Sequence, residues 1–237
     1  MCTVSFVHKN GKIIITSNRD EKVIRPGAIE PLAYLVQNKK VVFPKDKKAG
    51  GTWYAVDEYS NVLVLLNGAE EKHTLKAGYR KSRGLIVLDL MGSNSPLEAW
   101  QSIDLEDIEP FTLVLFESQK LYQLRWNELE KCSLALDINQ NHIWSSSTLY
   151  SKEIREKRAQ WFHAFLETKI EVNEEELFNF HRYAEGDNTE HGLVINRNDN
   201  LKTLSITQTV IEKNKILIYY NDLIAENKFS NVFSSLS

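Results

Sequence analysis

Apolar and polar positions alternate from Cys2 to Val7, break at Asn10-Gly11, and resume as a β-branched run from Lys12 to Thr16. This pattern predicts a β-hairpin closed by a two-residue turn. Arg25-Pro26-Gly27 and Glu30-Pro31 interrupt it and predict a loop. Val41–Phe43, Thr52–Val56 and Val62–Leu66 predict short strands, with Gly50-Gly51 ahead of the second and a turn over Asp57–Asn61. Gly68 to Lys81 is polar and loop-like. Ser82 is placed to cap a helix over Arg83–Met91, and Ser95-Pro96 opens another that runs through Ser102. Phe111–Glu117 and Leu121–Trp126 form a second hairpin pattern, and Leu129–Leu136 and His142–Trp144 are further strand candidates.

Ser151–Thr168 carries the longest helical pattern, with Ile154, Ala159, Phe162, Phe165 and Leu166 as a partial apolar stripe. Asn173 is placed to cap a helix over Glu174–Tyr183. Leu204–Val210 and Lys215–Tyr220 close the chain as strands. No linker, repeat or low-complexity tract divides it, so a single domain over residues 1–237 is expected. The order of strands, helices, strands, helices, strands suits an α+β fold with largely antiparallel sheets, not a doubly wound one.

Composition narrows the function classes. The 237 residues are 42% hydrophobic, enough for a sizeable core. A net charge of −3 with interspersed signs favours neither nucleic acid nor an anionic membrane as partner. The two cysteines, Cys2 and Cys132, are too few for a disulfide framework, so free thiols in a reducing compartment are expected. With no signal-peptide pattern and no apolar run long enough to span a bilayer, a cytoplasmic location is expected. The histidines show no metal-ligand spacing, and there is no paired-Cys zinc pattern or Gly-rich phosphate loop. No metal or cofactor is expected. The partner class is a small-molecule substrate or ligand, with homo-oligomerisation left open. Cys132, among Leu and Ala, reads as a core thiol.

The hairpin gathers chemistry at one strand end. With Asn10-Gly11 as the whole turn, Val7 faces Ile14, Ser5 faces Thr16 and Cys2 faces Arg19. Opposed side chains share a face, roughly 4.5–5.5 Å apart at Cβ. A bulged turn would put Asn18 opposite Cys2 instead. Initiator Met is commonly removed before a small residue. Cys2 would then carry both a thiol and an α-amino group of pKa about 7.7–8.0, nucleophile and base on one residue. A neighbouring guanidinium favours the thiolate.

Met1-Cys2-Thr3, Ser17-Asn18-Arg19-Asp20-Glu21 and Gly50-Gly51-Thr52-Trp53 resemble the NRDE-motif family, which includes the transport and Golgi organisation proteins. Leu66-Asn67-Gly68 and Tyr79-Arg80-Lys81-Ser82-Arg83-Gly84 are similar to its bacterial members. The resemblance implies an N-terminal nucleophile hydrolase-type fold, a four-layer αββα sandwich. It also implies kinship with cysteine amidases such as penicillin V acylase and bile-salt hydrolase. On that basis Cys2 is the nucleophile, Arg19 and Asp20 orient and polarise it, and Asn67 donates to the oxyanion. Asn18, Glu21, Trp53, Ser146, Arg80 and Arg83 are the expected substrate-binding residues. Two departures stand out. Ser146 occupies the place of a second amidase Asn, and the late strand lacks an Arg, although Arg197 lies just upstream.

Each of these residues also has a plainer reading. Gly50-Gly51 suits a tight turn better than a ligand approach, and Trp53 suits the core. Tyr79, Arg80, Arg83 and His73 form either an anion pocket or loop surface and helix cap. The alternative to an enzyme is a non-catalytic haem- or lipid-handling or trafficking protein on the same fold, although no Cys-Pro pair or His-rich tract supports haem.

Overall fold

Asn10 and Gly11 both adopt positive φ, 53° and 75°. An Asn-Gly pair favours this turn between twisted strands. It joins β1 (Thr3–Lys9) to β2 (Lys12–Lys22), with Lys9 opposite Lys12, Val7 opposite Ile14, Ser5 opposite Thr16 and Thr3 opposite Asn18. The computed structural model describes residues 3–169 and 171–236. Beyond the hairpin come β3 (Ile29–Val36), β4 (Lys39–Lys45), β5 (Tyr54–Asp57), β6 (Val62–Asn67), α1 (Arg83–Met91), α2 (Pro96–Ser102), β7 (Phe111–Glu117), β8 (Lys120–Trp126) and β9 (Lys131–Leu136). Then come β10 (His142–Ser145), α3 (Lys152–Glu167), α4 (Glu174–Tyr183), β11 (Asn196–Arg197), β12 (Leu201–Glu212), β13 (Lys215–Asp222) and β14 (Lys228–Ser234). The fold is α+β with antiparallel pairing, as the sequence pattern predicts.

The chain forms two compact units: Met1–Arg25 with Asn139–Phe233, and Pro26–Ile138 with Ser234–Ser237. In the first, the strand order is β10-β1-β2-β12-β13-β14, with β11 beside β12. Helix α4 packs on β2 and β12, and α3 on β10. Val7, Ile14 and Val210 from the sheet meet Phe162, Leu177, Phe180 and Leu193 in a closed apolar cluster. Burying each such large side chain stabilises the fold by roughly 1.5–3 kcal/mol. Asn173 begins α4 with a capping box, its side chain accepting from Glu176 N while Glu176 reaches back.

The second unit is a seven-stranded meander, β3 through β9 in chain order, with α1 against β5 and β6 and α2 against β7. Lys39 and Asp57 form a buried ion pair of 2.5 Å. Asp57 also accepts from the amides of Tyr59 and Asn61, which closes the predicted Asp57–Asn61 turn.

Several expectations need correction. The loop expected around Pro31 is strand β3, at the edge of its sheet, where a proline removes no needed ladder bond. Cys132 is exposed, not core, because β9 is the opposite edge strand and most of its residues face solvent. Ser82 precedes α1 but makes no side-chain cap bond. The short β11 and the terminal β14 had no clear pattern. The α3 stripe contains a fully buried Arg158 in step with Phe162, a charge that apolar periodicity does not anticipate.

Gly51 and Gly84 interlock in the second unit. A Cβ on Gly51 would lie 2.4 Å from the Gly84 carbonyl carbon, and one on Gly84 would lie 2.8 Å from the Thr52 oxygen. The Thr52 amide donates to the Gly84 carbonyl at 3.0 Å across this contact. The Gly-Gly pair therefore serves backbone packing against the start of α1. Gly51→Ala or Gly84→Ala is expected to destabilise the protein by roughly 1–3 kcal/mol. Urea unfolding checks this: both variants should lower the midpoint, while Gly78→Ala, where no heavy atom lies within 4 Å of the added Cβ, should move it little.

Candidate active site

The tetrapeptide Asn18-Arg19-Asp20-Glu21 forms the second half of β2, and strand alternation sends its side chains to opposite faces. Asn18 and Asp20 point to the helix side, as their partners show. Asn18 Nδ2 donates to the carbonyls of His181 (3.0 Å) and Leu193 (2.7 Å). Those carbonyls only accept, so the amide orientation is determined and Oδ1 is left to accept. It takes the proton of His181 Nδ1 at 2.5 Å. His181 Nε2 is therefore the bare nitrogen, and Ser5 Oγ donates to it at 2.7 Å. Ser5, Asn18 and His181 are each 0% exposed.

This Ser-His-Asn chain has the connectivity of a hydrolytic relay, but it is sealed from solvent. Its partners commit it to tying β1 and β2 to α4. Burial, helped by the nearby Arg158 charge, lowers the His181 pKa from 6.5 to about 3, so the ring is neutral at pH 7.

Asp20 is 3% exposed. Its carboxylate accepts from Tyr150 Oη at 2.7 Å and Thr203 Oγ1 at 2.5 Å. Thr203 Oγ1 in turn accepts from the Ile195 amide. The Arg158 guanidinium lies 3.6 Å from the Tyr150 ring centroid, and that of Arg197 lies 5.1 Å from it. Arg158 also donates to Thr3 Oγ1 at 2.5 Å and to the carbonyls of His191 and Gly192. Two guanidiniums thus stack on the phenol that donates to Asp20.

Opposite this point the β12 register slips, with Thr203 facing Asp20 but Ser205 facing Arg19. Such a bulge bends the strand and re-aims its side chains. Arg19, 3% exposed, lies on the other face of the sheet. On that face the hydroxyls of Ser17, Ser205, Thr207 and Thr209 are buried with no hydrogen-bond partner among the described residues. Ser17 is opposed to Thr207, so these groups line the strip beside Arg19.

Cys2, the expected nucleophile, lies outside the described residues. Glu21 accepts from the Lys22 amide and sits 3.6 Å from Arg25, at the exposed end of β2. Ser146, 1% exposed, follows β10 and contacts the Thr148 hydroxyl at 2.9 Å. Asn67, Trp53, Arg80 and Arg83 belong to the second unit. Asn67 ends β6 opposite Phe111, and Trp53 is buried. Arg80 pairs with Asp104 at 2.9 Å and Arg83 with Glu109 at 3.0 Å, so both charges are matched by the protein's own carboxylates. His73 also reaches Glu109, which places it with Arg83 around that carboxylate.

Sequence reasoning missed Ser5, Tyr150, Arg158, His181 and Thr203. Alternation puts Ser5 on the same face as Asn18, which is the one signal that could have flagged it. The others come from distant segments and have no local signature.

The architecture is that of the N-terminal nucleophile hydrolase class. The chain is similar in structure to a mutant conjugated bile acid hydrolase from Clostridium perfringens, with a TM-score of 0.56 and 12% identity over 99% of this chain and 92% of that one. It is also similar to the Caenorhabditis elegans N-acylethanolamine-hydrolyzing acid amidase, with a TM-score of 0.62 and 10% identity over 87% of this chain and 92% of that one. Residues 1–222 match the Transport and Golgi organisation 2 family, and the chain belongs to it. No curated protein matches the sequence. No helix among the described residues is long and apolar enough to cross a membrane.

The neutral His181 makes stability depend on pH. Unfolded histidine takes a proton near pH 6.5, whereas the folded one does so only near pH 3. The contribution is fully present above 6.5 and falls by about 1.4 kcal/mol per pH unit below it. Denaturant unfolding between pH 7 and 4.5 should show this slope. His181→Gln should be less stable at pH 7 and should lose about one proton's worth of the slope.

Proposed function

We propose that this protein is an N-terminal cysteine hydrolase that cleaves a non-peptide carbon–nitrogen amide bond. The observation that carries the reading is the β1–β2 register. It holds without a slip as far as Thr3 opposite Asn18. Taken one step further, the pairing expected from the sequence puts Cys2 opposite Arg19, whose face bears the unpartnered hydroxyls. Likeness of fold to a conjugated bile acid hydrolase and an N-acylethanolamine-hydrolyzing amidase supports the class of bond.

In the proposed reaction Met1 is first removed, leaving a free amine on Cys2. That amine takes the thiol proton, and the thiolate attacks the amide carbonyl carbon. The tetrahedral intermediate collapses, and the amine leaves with the proton returned by the Cys2 ammonium. Water then attacks the thioester, the carboxylic acid departs and the thiol is restored. Arg19 favours the thiolate. Asp20, clamped by Tyr150 and Thr203, fixes the β2 end that carries Arg19. Asn18 is assigned to holding that strand on α4 rather than to substrate. Asn67 is the amide that family resemblance offers to the oxyanion.

Intact mass of the full chain, before and after incubation with a glycine-conjugated bile acid or an N-acylethanolamine, tests this. The expected result is loss of Met1, a transient acyl adduct on Cys2 and amine release. Cys2→Ala should abolish the adduct and lower turnover by more than ~10³-fold. Retained Met1 throughout the sample, or a Cys2→Ala variant as active as the parent, overturns the reading.

A further inference from the structure

The first unit contains a cavity that the hydrolase reading does not use. Where α4 lies beside β12, β13 and β14, Phe178, Tyr219, Phe229, Gln208, Glu174 and Glu175 line a concavity of about 270 Å³. The three rings do not stack on one another or on any other described aromatic residue.

Gln208, 2% exposed, forms part of the wall. Its Nε2 donates to Thr16 Oγ1 at 2.9 Å and to the Glu174 carbonyl at 3.0 Å. A carbonyl only accepts, so the amide cannot be reversed, and Oε1 is left with no donor among the described residues. That oxygen is open to solvent on the cavity side and can accept from the N–H or O–H of a bound molecule.

Charge completes the picture. Glu174 is shared with Lys12 at 3.3 Å. Glu175, an exposed residue of α4, also lines the cavity and forms no ion pair among the described residues. Lys228 also lines the cavity but is exposed; such a side chain lays its stem along the wall and keeps its ammonium in water.

We propose that this cavity binds a small organic cation, a protonated amine on a short aromatic or alkyl body. Ring faces attract a cation through their quadrupole. Gln208 Oε1 accepts one ammonium hydrogen, and Glu175 supplies the matching charge. The volume lies just below the roughly 300 Å³ where drug-sized pockets begin, which sets the ligand size as small. This site is independent of Cys2 and of the proposed hydrolysis.

Calorimetric or ligand-observed NMR titration of the full chain tests the proposal with three probes of one shape: phenethylammonium, 2-phenylethanol and 3-phenylpropanoate. Phenethylammonium should bind saturably, at least ~10-fold tighter than the alcohol, with the carboxylate weakest. Glu175→Gln should reduce the preference for the amine over the alcohol to ~3-fold or less while leaving alcohol binding unchanged. Phe178→Leu, at a half-buried wall position that keeps the fold, should weaken the amine ~5-fold or more. No saturable amine binding up to ~10 mM, equal binding of amine and carboxylate, or a preference unaltered in Glu175→Gln overturns it.

Discussion

The first unit depends on one constraint: the polar residues in the second half of β2 are buried and must find partners inside the protein. β2 is central in its sheet, between β1 and β12. Thr16, Ser17, Asn18, Arg19 and Asp20 are all buried there. A polar group out of water is costly unless hydrogen-bonded. The architecture meets this demand on the helix face with groups from four other segments. These are His181 and its carbonyl from α4, the Leu193 carbonyl, and Tyr150 with Thr203 around Asp20. The tetrapeptide is therefore a fold determinant before it is a chemical one.

The two faces of that strand divide the work. On the helix face every donor and acceptor described for Asn18 is matched, which locks α4 in place and keeps His181 neutral. Arg158 brings a full charge into the same layer. It forms no ion pair among the described residues and relies instead on carbonyls, the Thr3 hydroxyl and the Tyr150 ring. On the other face the hydroxyls beside Arg19 have no described partner. Rigidity lies on one side and unmet hydrogen-bonding capacity on the other. Asn67, Arg80, Arg83 and Trp53 belong to the second unit. There the Gly51–Gly84 contact turns two family motifs, Gly50-Gly51-Thr52-Trp53 and Ser82-Arg83-Gly84, into one packing joint.

Sequence pattern by itself determined the local elements. Asn10-Gly11 dictates its turn, and the turn dictates the register through Thr3–Asn18, because side-chain period and hydrogen-bond pairing leave no freedom once the hairpin closes. The bounds of α2 and α4 follow from proline and capping residues, and those of α1 from apolar spacing, signals that act within a few residues. Motif residues sufficed to identify the family. Tertiary structure decided what local signals cannot carry. Pro31 lies in a strand because β3 is an edge, and Cys132 is exposed because β9 is the other edge. Arg158 is buried because Tyr150 and three acceptors surround it, and His181 meets Asn18 across 163 residues of chain. Edge position, charge compensation and long-range hydrogen bonding are properties of neighbours in space, and no window of sequence contains them.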